Sequence, residues 1–172
     1  MSKTETITLI DLLARAYTIE REAEYRYADL ADQMEVHNNL ELAGLFRKMS
    51  VIEGKHATQI KDRAEGQVLP HISPLASHWP GAEPPENIAT EDMHYMMTPH
   101  HALKLALAGE QQAAIFYEEM SRIAADAPTR AFAEEMAIEE HEHVKMAEDL
   151  LAQYPEPEAG WDEDPDPPML QE

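Results

Sequence analysis

The chain repeats one pair of helical motifs, and each motif places charged residues among apolar ones. Residues 20–27 read EREAEYRY and residues 110–117 read EQQAAIFY, so both contain Glu-x-x-Ala-x-x-x-Tyr. Residues 49–56 read MSVIEGKH and residues 136–143 read MAIEEHEH, so both contain Met-x-x-x-Glu-x-x-His. The first motif recurs after 90 residues and the second after 87. The sequence therefore predicts two copies of one helical hairpin.

Four long segments with apolar residues at helical spacing carry these motifs. Capping and stop residues bound the segments: Thr8 precedes the first, Asn38 precedes the second and Gly66 ends it, and the pair Thr98-Pro99 opens the third. The repeated Glu, Tyr and His positions fall in the same stripes as the Leu, Ala and Met residues. The predicted helices span residues 9–35, 39–65, 99–125 and 128–154.

Two short connections and one long one join the four helices. The short connections make each hairpin antiparallel. Residues 66–98 contain five prolines and little periodicity, and this stretch is long enough to carry the chain back along a bundle. The predicted fold is all-α: a four-helix bundle over residues 1–152 with one long crossover between helices 2 and 3. Residues 153–172 are acidic and rich in proline, and we interpret them as a disordered tail, with docking on a partner as the alternative.

Composition excludes several classes of function. The formal net charge of −21 repels nucleic acid and anionic membrane surfaces and favours cations as partners. The chain has no cysteine, which excludes disulfides, thiol catalysis and cysteine-ligated iron. There is no basic region followed by a long apolar run at the N-terminus, and no stretch approaches ~20 apolar residues, so we expect a cytoplasmic protein that does not span a membrane.

The inward-facing charges need partners, because burying an unpaired carboxylate is unfavourable. Residues three apart on a helix are neighbours, about 5–6 Å apart at Cβ, so a Glu-x-x-His pair can hold one ion. Two such pairs and two further glutamates supply four carboxylates and two imidazoles, whose charge two divalent cations would balance. This combination is an already described pattern of bundles that bind two iron or manganese ions. The candidate ligands are Glu20, Glu53, His56, Glu110, Glu140 and His143.

Other acidic and histidine residues compete with this set. The pair Glu91–His94 has the same spacing, but we exclude it because it lies in the proline-rich connection and lacks the preceding Met. Glu139 can also face inward, yet helix 2 has Ile52 at the equivalent position. We expect Glu24 to be exposed or to lie outside the ligand set. Several histidines near the connection could form a second metal site, although scattered loop histidines are the simpler interpretation. They are His71, His78, His94, His100 and His101.

The complete motif set resembles that of the ferritin-like di-iron carboxylate superfamily. Within it the chain is most similar to rubrerythrin-like proteins. The resemblance implies two iron ions as the cofactor, with manganese or a mixed pair as alternatives, since histidine and carboxylate ligands suit several first-row metals.

The resemblance also implies a role for each residue. Glu53 and Glu140 would bridge the two metals. Glu20 and Glu110 would be terminal ligands, and His56 and His143 would each complete the ligand set of one metal. Tyr27 and Tyr117 would lie one layer away, near enough to hydrogen-bond a ligand carboxylate, or would serve only in packing.

The function that the resemblance implies is redox chemistry with peroxide or dioxygen. Typical rubrerythrins carry an additional iron site with four cysteines, which this sequence lacks, so electrons would come from a separate donor or from ferrous iron. Ala113 stands where rubrerythrins have a further glutamate, which makes the six-ligand set closer to bacterioferritin-type ferroxidase centres. Two alternatives stay open: iron handling or storage of the ferritin type, and a non-catalytic metal-binding bundle. We expect a small assembly, such as a homodimer.

Overall fold

Four α-helices make up most of the described chain. The structure, a computed structural model, describes residues 6–72 and 97–158. The helices are α1 (Leu9–Val36), α2 (Leu40–Arg63), α3 (Pro99–Ile123) and α4 (Ala127–Leu151). All bounds lie within three residues of the predicted ones, and the predicted all-α four-helix bundle is confirmed. Much of the predicted crossover, with His78 and the pair Glu91–His94, and most of the predicted tail lie outside the described residues.

Most helix ends follow the predicted capping residues, with one correction. Thr8 and Thr98 each accept a hydrogen bond from the backbone N–H three residues later. The prediction of Asn38 as the cap of α2 was wrong by one residue. The cap is Asn39, whose side chain accepts from the N–H of Leu42 at 3.1 Å. Asn38 instead adopts a φ of 57° in the turn between α1 and α2, a left-handed conformation that asparagine tolerates well.

The two hairpins are tied together by side-by-side helix packing and by one backbone contact. α1 packs along α2 and α3 along α4, and α1 also touches both helices of the second hairpin. Ile7 donates its backbone N–H to the carbonyl of Ile123 at 3.0 Å and accepts from Ala125 at 2.9 Å. This bridge fixes the segment before α1 against the connection between α3 and α4.

The apolar core consists of two clusters with a charged layer between them. The first contains Leu12, Leu13, Ile19, Phe116, Tyr117 and Met120. The second contains Tyr27, Leu30, Met34, Phe46, Met49 and Leu103. On α1, Ile19 belongs to the first cluster, Glu20 to the charged layer and Tyr27 to the second cluster. The other three helices likewise cross from one cluster to the other at their buried glutamates. None of the helices in the described ranges is both long and apolar enough to cross a membrane.

Candidate metal centre

Each of the four helices contributes one buried glutamate to the layer between the two cores. Glu20, Glu53 and Glu110 are each 1% exposed and Glu140 is 3% exposed. They are buried because each falls in phase with the apolar stripe of its helix. The histidines three residues after Glu53 and Glu140 are nearer the surface: the side chain of His56 is 18% exposed and that of His143 is 14% exposed. The structure thus gathers all six candidate ligands into one layer.

Glu53 lies at the centre of this layer and faces both histidines. Its Oε2 is 3.3 Å from Nδ1 of His56, and its Oε1 is 3.4 Å from Nδ1 of His143. Glu20 Oε2 lies 3.5 Å from His56, and Glu110 Oε2 lies 3.4 Å from His143. Two three-residue groups share Glu53, and in each the ligand atoms lie within 4.8 Å of one another. The two imidazole rings stack in parallel, with centroids 5.8 Å apart.

Glu140 occupies a less symmetric position than Glu53. Its Oε2 is 3.7 Å from Nδ1 of His143, and its carboxyl group shares a hydrogen bond with that of Glu110. It belongs to neither of the two compact groups. Burial, followed by the charges of the surrounding glutamates, raises its pKa well above the ordinary value of 4.5. In this geometry, then, Glu140 approaches only one of the two positions.

Two buried tyrosines connect the layer to the apolar clusters, and each bond crosses between the hairpins. The hydroxyl of Tyr117 donates to Oε1 of Glu20 at 3.1 Å, and the hydroxyl of Tyr27 donates to Oε1 of Glu110. Burial and the adjacent glutamate raise the pKa of each tyrosine well above 10, so both remain hydrogen-bond donors. Glu20 and Glu110 therefore each have one oxygen held by a tyrosine and the other facing a histidine.

The electrostatics of the layer favour positive charge. Burial, outweighing the contact with His56, raises the pKa of Glu53 to about 7. The close contacts with the carboxylates of Glu20 and Glu53 raise the pKa of His56 to about 10. For His143, burial lowers the pKa, but the contacts with Glu110 and Glu53 outweigh it and raise the pKa to about 9. Crowded carboxylates hold protons on both imidazoles.

Four buried polar atoms of the layer make no hydrogen bond. They are Oε2 of Glu20, Oε1 of Glu53 and Nδ1 of His56 and of His143. Buried polar atoms without a partner are unfavourable and are few in native proteins. Carboxylate oxygens and imidazole nitrogens suit iron and manganese as well as other first-row metals. The residues present therefore fit a metal centre, and they could hold two ions that share Glu53.

Comparison with known proteins agrees with this arrangement. The rubrerythrin family model matches residues 11–97 and 101–165, which is most of the chain. The chain belongs to the rubrerythrin family. It is similar to an uncharacterized conserved protein from Magnetospirillum magnetotacticum MS-1, whose crystal structure was determined at 2.00 Å resolution. The two share 37% sequence identity and a TM-score of 0.75, over 88% of this chain and 99% of that one. No curated protein matches the chain.

Membership of the rubrerythrin family confirms the resemblance inferred from sequence and implies a di-iron carboxylate protein. This rubrerythrin-family chain has Ala113, fully buried, at the position of the family's further glutamate. Alanine offers no ligand atom there.

Glu24, and His141 in the fourth-helix motif, lie apart from the six candidate ligands of this rubrerythrin-family chain. Glu24 is half-buried and pairs with Arg21, with its carboxyl group packed over Gly54. His141 is exposed and lies 2.8 Å from a carboxylate oxygen of Glu118. Within residues 6–72 and 97–158, the two groups around Glu53 are the only clusters of acidic and histidine side chains close enough to hold a metal.

One buried charged residue of this rubrerythrin-family chain was not predicted from the sequence. Arg26 is 7% exposed, and its guanidinium carbon lies 5.5 Å from the centre of the Tyr27 ring. The repeat could have predicted the burial of Arg26, because the equivalent position in the second hairpin is Phe116. An apolar residue at the matching position indicates that this position faces inward.

Proposed function

We propose that this protein is a di-iron redox protein that reacts with peroxide or dioxygen. The observation that carries the proposal is the central carboxylate of Glu53, whose two oxygens face His56 and His143 at 3.3 and 3.4 Å. One carboxylate that faces two imidazoles in a buried layer suits two metal ions better than one. Membership of the rubrerythrin family supports iron as the metal.

The proposed ligand set follows from this centre. Four carboxylates and two imidazoles would hold the two metals. These are Glu53 and Glu140, Glu20 and Glu110, and His56 and His143. When bound, a di-iron pair supplies the electrons that, with protons, reduce peroxide to water. The sequence contains no cysteine, so the electrons come from a separate donor in this proposal.

The protein's own residues position and protect this site. Tyr117 and Tyr27 orient Glu20 and Glu110 through one oxygen each, which leaves the other oxygen free to bind. The apolar clusters on both sides exclude water along the bundle axis. The histidine side chains are the more exposed members of the set. A small oxidant therefore approaches from the histidine side.

Elemental analysis of aerobically and anaerobically purified protein tests this proposal. We expect about two irons per chain and a near-ultraviolet absorption that bleaches on reduction and returns on addition of peroxide. Glu53→Ala removes the shared ligand and should abolish both. Glu139→Ala, which changes a half-buried glutamate outside the ligand set, should change neither. Metal that is bound but cannot be oxidised would show that the bundle is a non-catalytic metal binder.

A second candidate function, ferroxidation coupled to iron handling, is favoured by Ala113. Without a further carboxylate the ligand set is the symmetric one, and ferrous iron itself can supply the electrons. Size-exclusion chromatography with iron counting separates the two functions. A cage-sized species that accumulates iron far beyond two per chain would support storage. A homodimer that retains only two irons per chain would support the redox protein proposed above.

A further inference from the structure

Carboxylates from three helices surround the imidazole of His143. Its Nδ1 lies 3.4 Å from Oε1 of Glu53, 3.4 Å from Oε2 of Glu110 and 3.7 Å from Oε2 of Glu140. These glutamates belong to α2, α3 and α4, so this half of the layer, the His143 position, draws its ligand groups from both hairpins. Glu140 lies outside the compact group that the other three residues form, but its carboxyl group shares a hydrogen bond with Glu110, which holds it beside this position.

The imidazole of His56 faces a smaller set of carboxylates, and they come from one hairpin. Its Nδ1 lies 3.3 Å from Oε2 of Glu53 and 3.5 Å from Oε2 of Glu20. Both carboxylates belong to α1 and α2, the hairpin that contains His56 itself. This half of the layer, the His56 position, therefore offers a cation one carboxylate fewer than the other half, and it does not join the two hairpins.

The half of the layer with three carboxylates also has a buried cation nearby, which acts in the opposite direction. Arg26 is 7% exposed, and its positive charge acts on Glu110. The same charge acts on Glu22, whose carboxylate offsets part of it. The guanidinium carbon lies against the ring of Tyr27, 5.5 Å from its centre, so a side chain separates it from the ligand groups. Glu140 approaches the imidazole directly at 3.7 Å. Because Coulomb energy falls with distance, the additional carboxylate outweighs the more distant cation.

We propose that the two metal positions fill in a fixed order: the His143 position binds the first divalent cation, across both hairpins, and the His56 position binds the second one more weakly. The proposal rests on the two-metal function above. Buried charges are poorly screened by solvent and salt, so one additional carboxylate attracts a cation strongly. The second ion must share Glu53 with the first and finds fewer other carboxylates. The ion at the His56 position is therefore the one that exchanges more readily with solvent.

Anaerobic titration with Co²⁺, followed by calorimetry and visible absorption, tests this order in variants that lack one histidine. His56→Ala leaves the His143 position, and His143→Ala leaves the His56 position. We expect each variant to bind one Co²⁺, with an affinity about tenfold or more higher in His56→Ala. Glu140→Gln removes one charge at nearly constant volume. In the His56→Ala background it should weaken binding by about tenfold or more, and by less in the His143→Ala background. Glu139→Gln, which changes the half-buried neighbour of Glu140, is the matched control and should alter neither affinity.

The possible outcomes separate this inference from the proposed function. An unaltered chain that binds no Co²⁺ would overturn both. One bound ion per unaltered chain, lost in His143→Ala and kept in His56→Ala, would overturn the two-metal function while supporting the His143 position as the first to fill. Two ions per unaltered chain, with an affinity in His143→Ala that equals or exceeds that in His56→Ala, would overturn the order alone. Circular dichroism checks that each variant keeps its helical content, and His56→Leu and His143→Leu provide the same comparison should an Ala variant not fold.

Discussion

Glu20 and Glu110 each use their two carboxylate oxygens for different contacts. Oε1 of Glu20 accepts from Tyr117, and its Oε2 faces His56. Glu110 repeats this division with Tyr27 and His143. The tyrosine bond restricts the rotation of the carboxylate, and the second oxygen points into the layer. Preorganisation of this kind depends on a single hydroxyl group per glutamate.

Tyr27→Phe and Tyr117→Phe remove that hydroxyl group while keeping the buried ring. Each leaves a carboxylate oxygen buried without its donor. We expect both variants to fold and to lose about tenfold to hundredfold in metal affinity, measured by Co²⁺ titration. Tyr25→Phe is the control, since its exposed hydroxyl contacts Arg21 on the surface. Unchanged affinity in both buried variants would mean that these tyrosines act only in packing.

The repeat and the helical period predicted which side chains the fold would bring together. Glu20, Glu53, Glu110 and Glu140 could be placed because each shares the phase of its apolar neighbours. Which partner each side chain contacts could not be predicted, because helical phase fixes a direction but not a distance. The crossed bonds of the tyrosines and the difference between Glu53 and Glu140 depend on how four helices pack, which one sequence does not determine.

At the scale of one helix, α2 contains two glycines in different surroundings. A Cβ added at Gly44 would meet no atom within 4 Å, whereas one added at Gly54 would lie 3.0 Å from the carboxyl carbon of Glu24. Alanine in a helix interior is favoured over glycine by about 0.5–1 kcal/mol. We therefore expect Gly44→Ala to stabilise the protein by about this amount and Gly54→Ala to give a smaller gain, because Glu24 must move aside.

Denaturant unfolding of a double-mutant cycle checks this expectation. With Glu24→Ala as the background, Gly54→Ala should recover the full gain of about 0.5–1 kcal/mol. Equal gains at Gly54 with and without Glu24 would contradict the crowding inferred from the structure.

The start of α4 depends on Asp126, a cap that the sequence analysis did not identify. Its Oδ1 accepts from the backbone N–H of Thr129 at 2.8 Å and from the Thr129 hydroxyl at 2.6 Å. The fourth helix was predicted to begin at Pro128, but its capping residue, Asp126, lies two positions earlier, before Ala127. Sequence rules locate a helix end less well than its interior, because several neighbouring residues can act as caps.

Asp126→Ala should lower the thermal midpoint of unfolding at pH 7, while Asp126→Asn should largely preserve it, because asparagine also caps helices. Hydrogen bonds from Thr129 lower the pKa of Asp126 below its ordinary value of 3.8. The charged cap therefore stabilises the fold fully above pH 3.8, and this contribution is lost as pH falls through the lowered pKa. The difference between the unaltered and Asn proteins should shrink as pH approaches 3. A difference that grows on acidification would contradict this.

At the scale of the whole molecule, the charged layer separates two apolar clusters that would otherwise form one core. Four buried glutamates in one layer destabilise the metal-free bundle, because protons, two imidazoles and the nearby Arg26 offset only part of the cost of burying them. The buried glutamates that are the proposed metal ligands therefore also lower the stability of the metal-free fold. The fold tolerates the layer because each apolar cluster packs helices from both hairpins.

Glu53→Gln separates these two effects. In chelator-treated protein at pH 8, where most Glu53 is charged, we expect the variant to have a free energy of unfolding about 1–3 kcal/mol higher than the unaltered chain, because burial raises the pKa of Glu53 to about 7 and so disfavours its charged form. The same variant should bind no metal pair, so added Co²⁺ should raise the midpoint of the unaltered protein only. Glu139→Gln is the matched control and should behave like the unaltered protein in both states. A metal-free Glu53→Gln protein that is less stable than its parent would contradict this account.

Because the tyrosine hydrogen bonds cross between the two hairpins, they link the assembly of the hairpins to the formation of the site. A lone hairpin has a tyrosine and a glutamate that find their partners only on another hairpin. Neither half can complete the site by itself, whereas a single hairpin paired with its own copy would reproduce both crossed bonds. Producing Leu9–Arg63 and Pro99–Leu151 as separate peptides would show whether the ion recruits one half to the other.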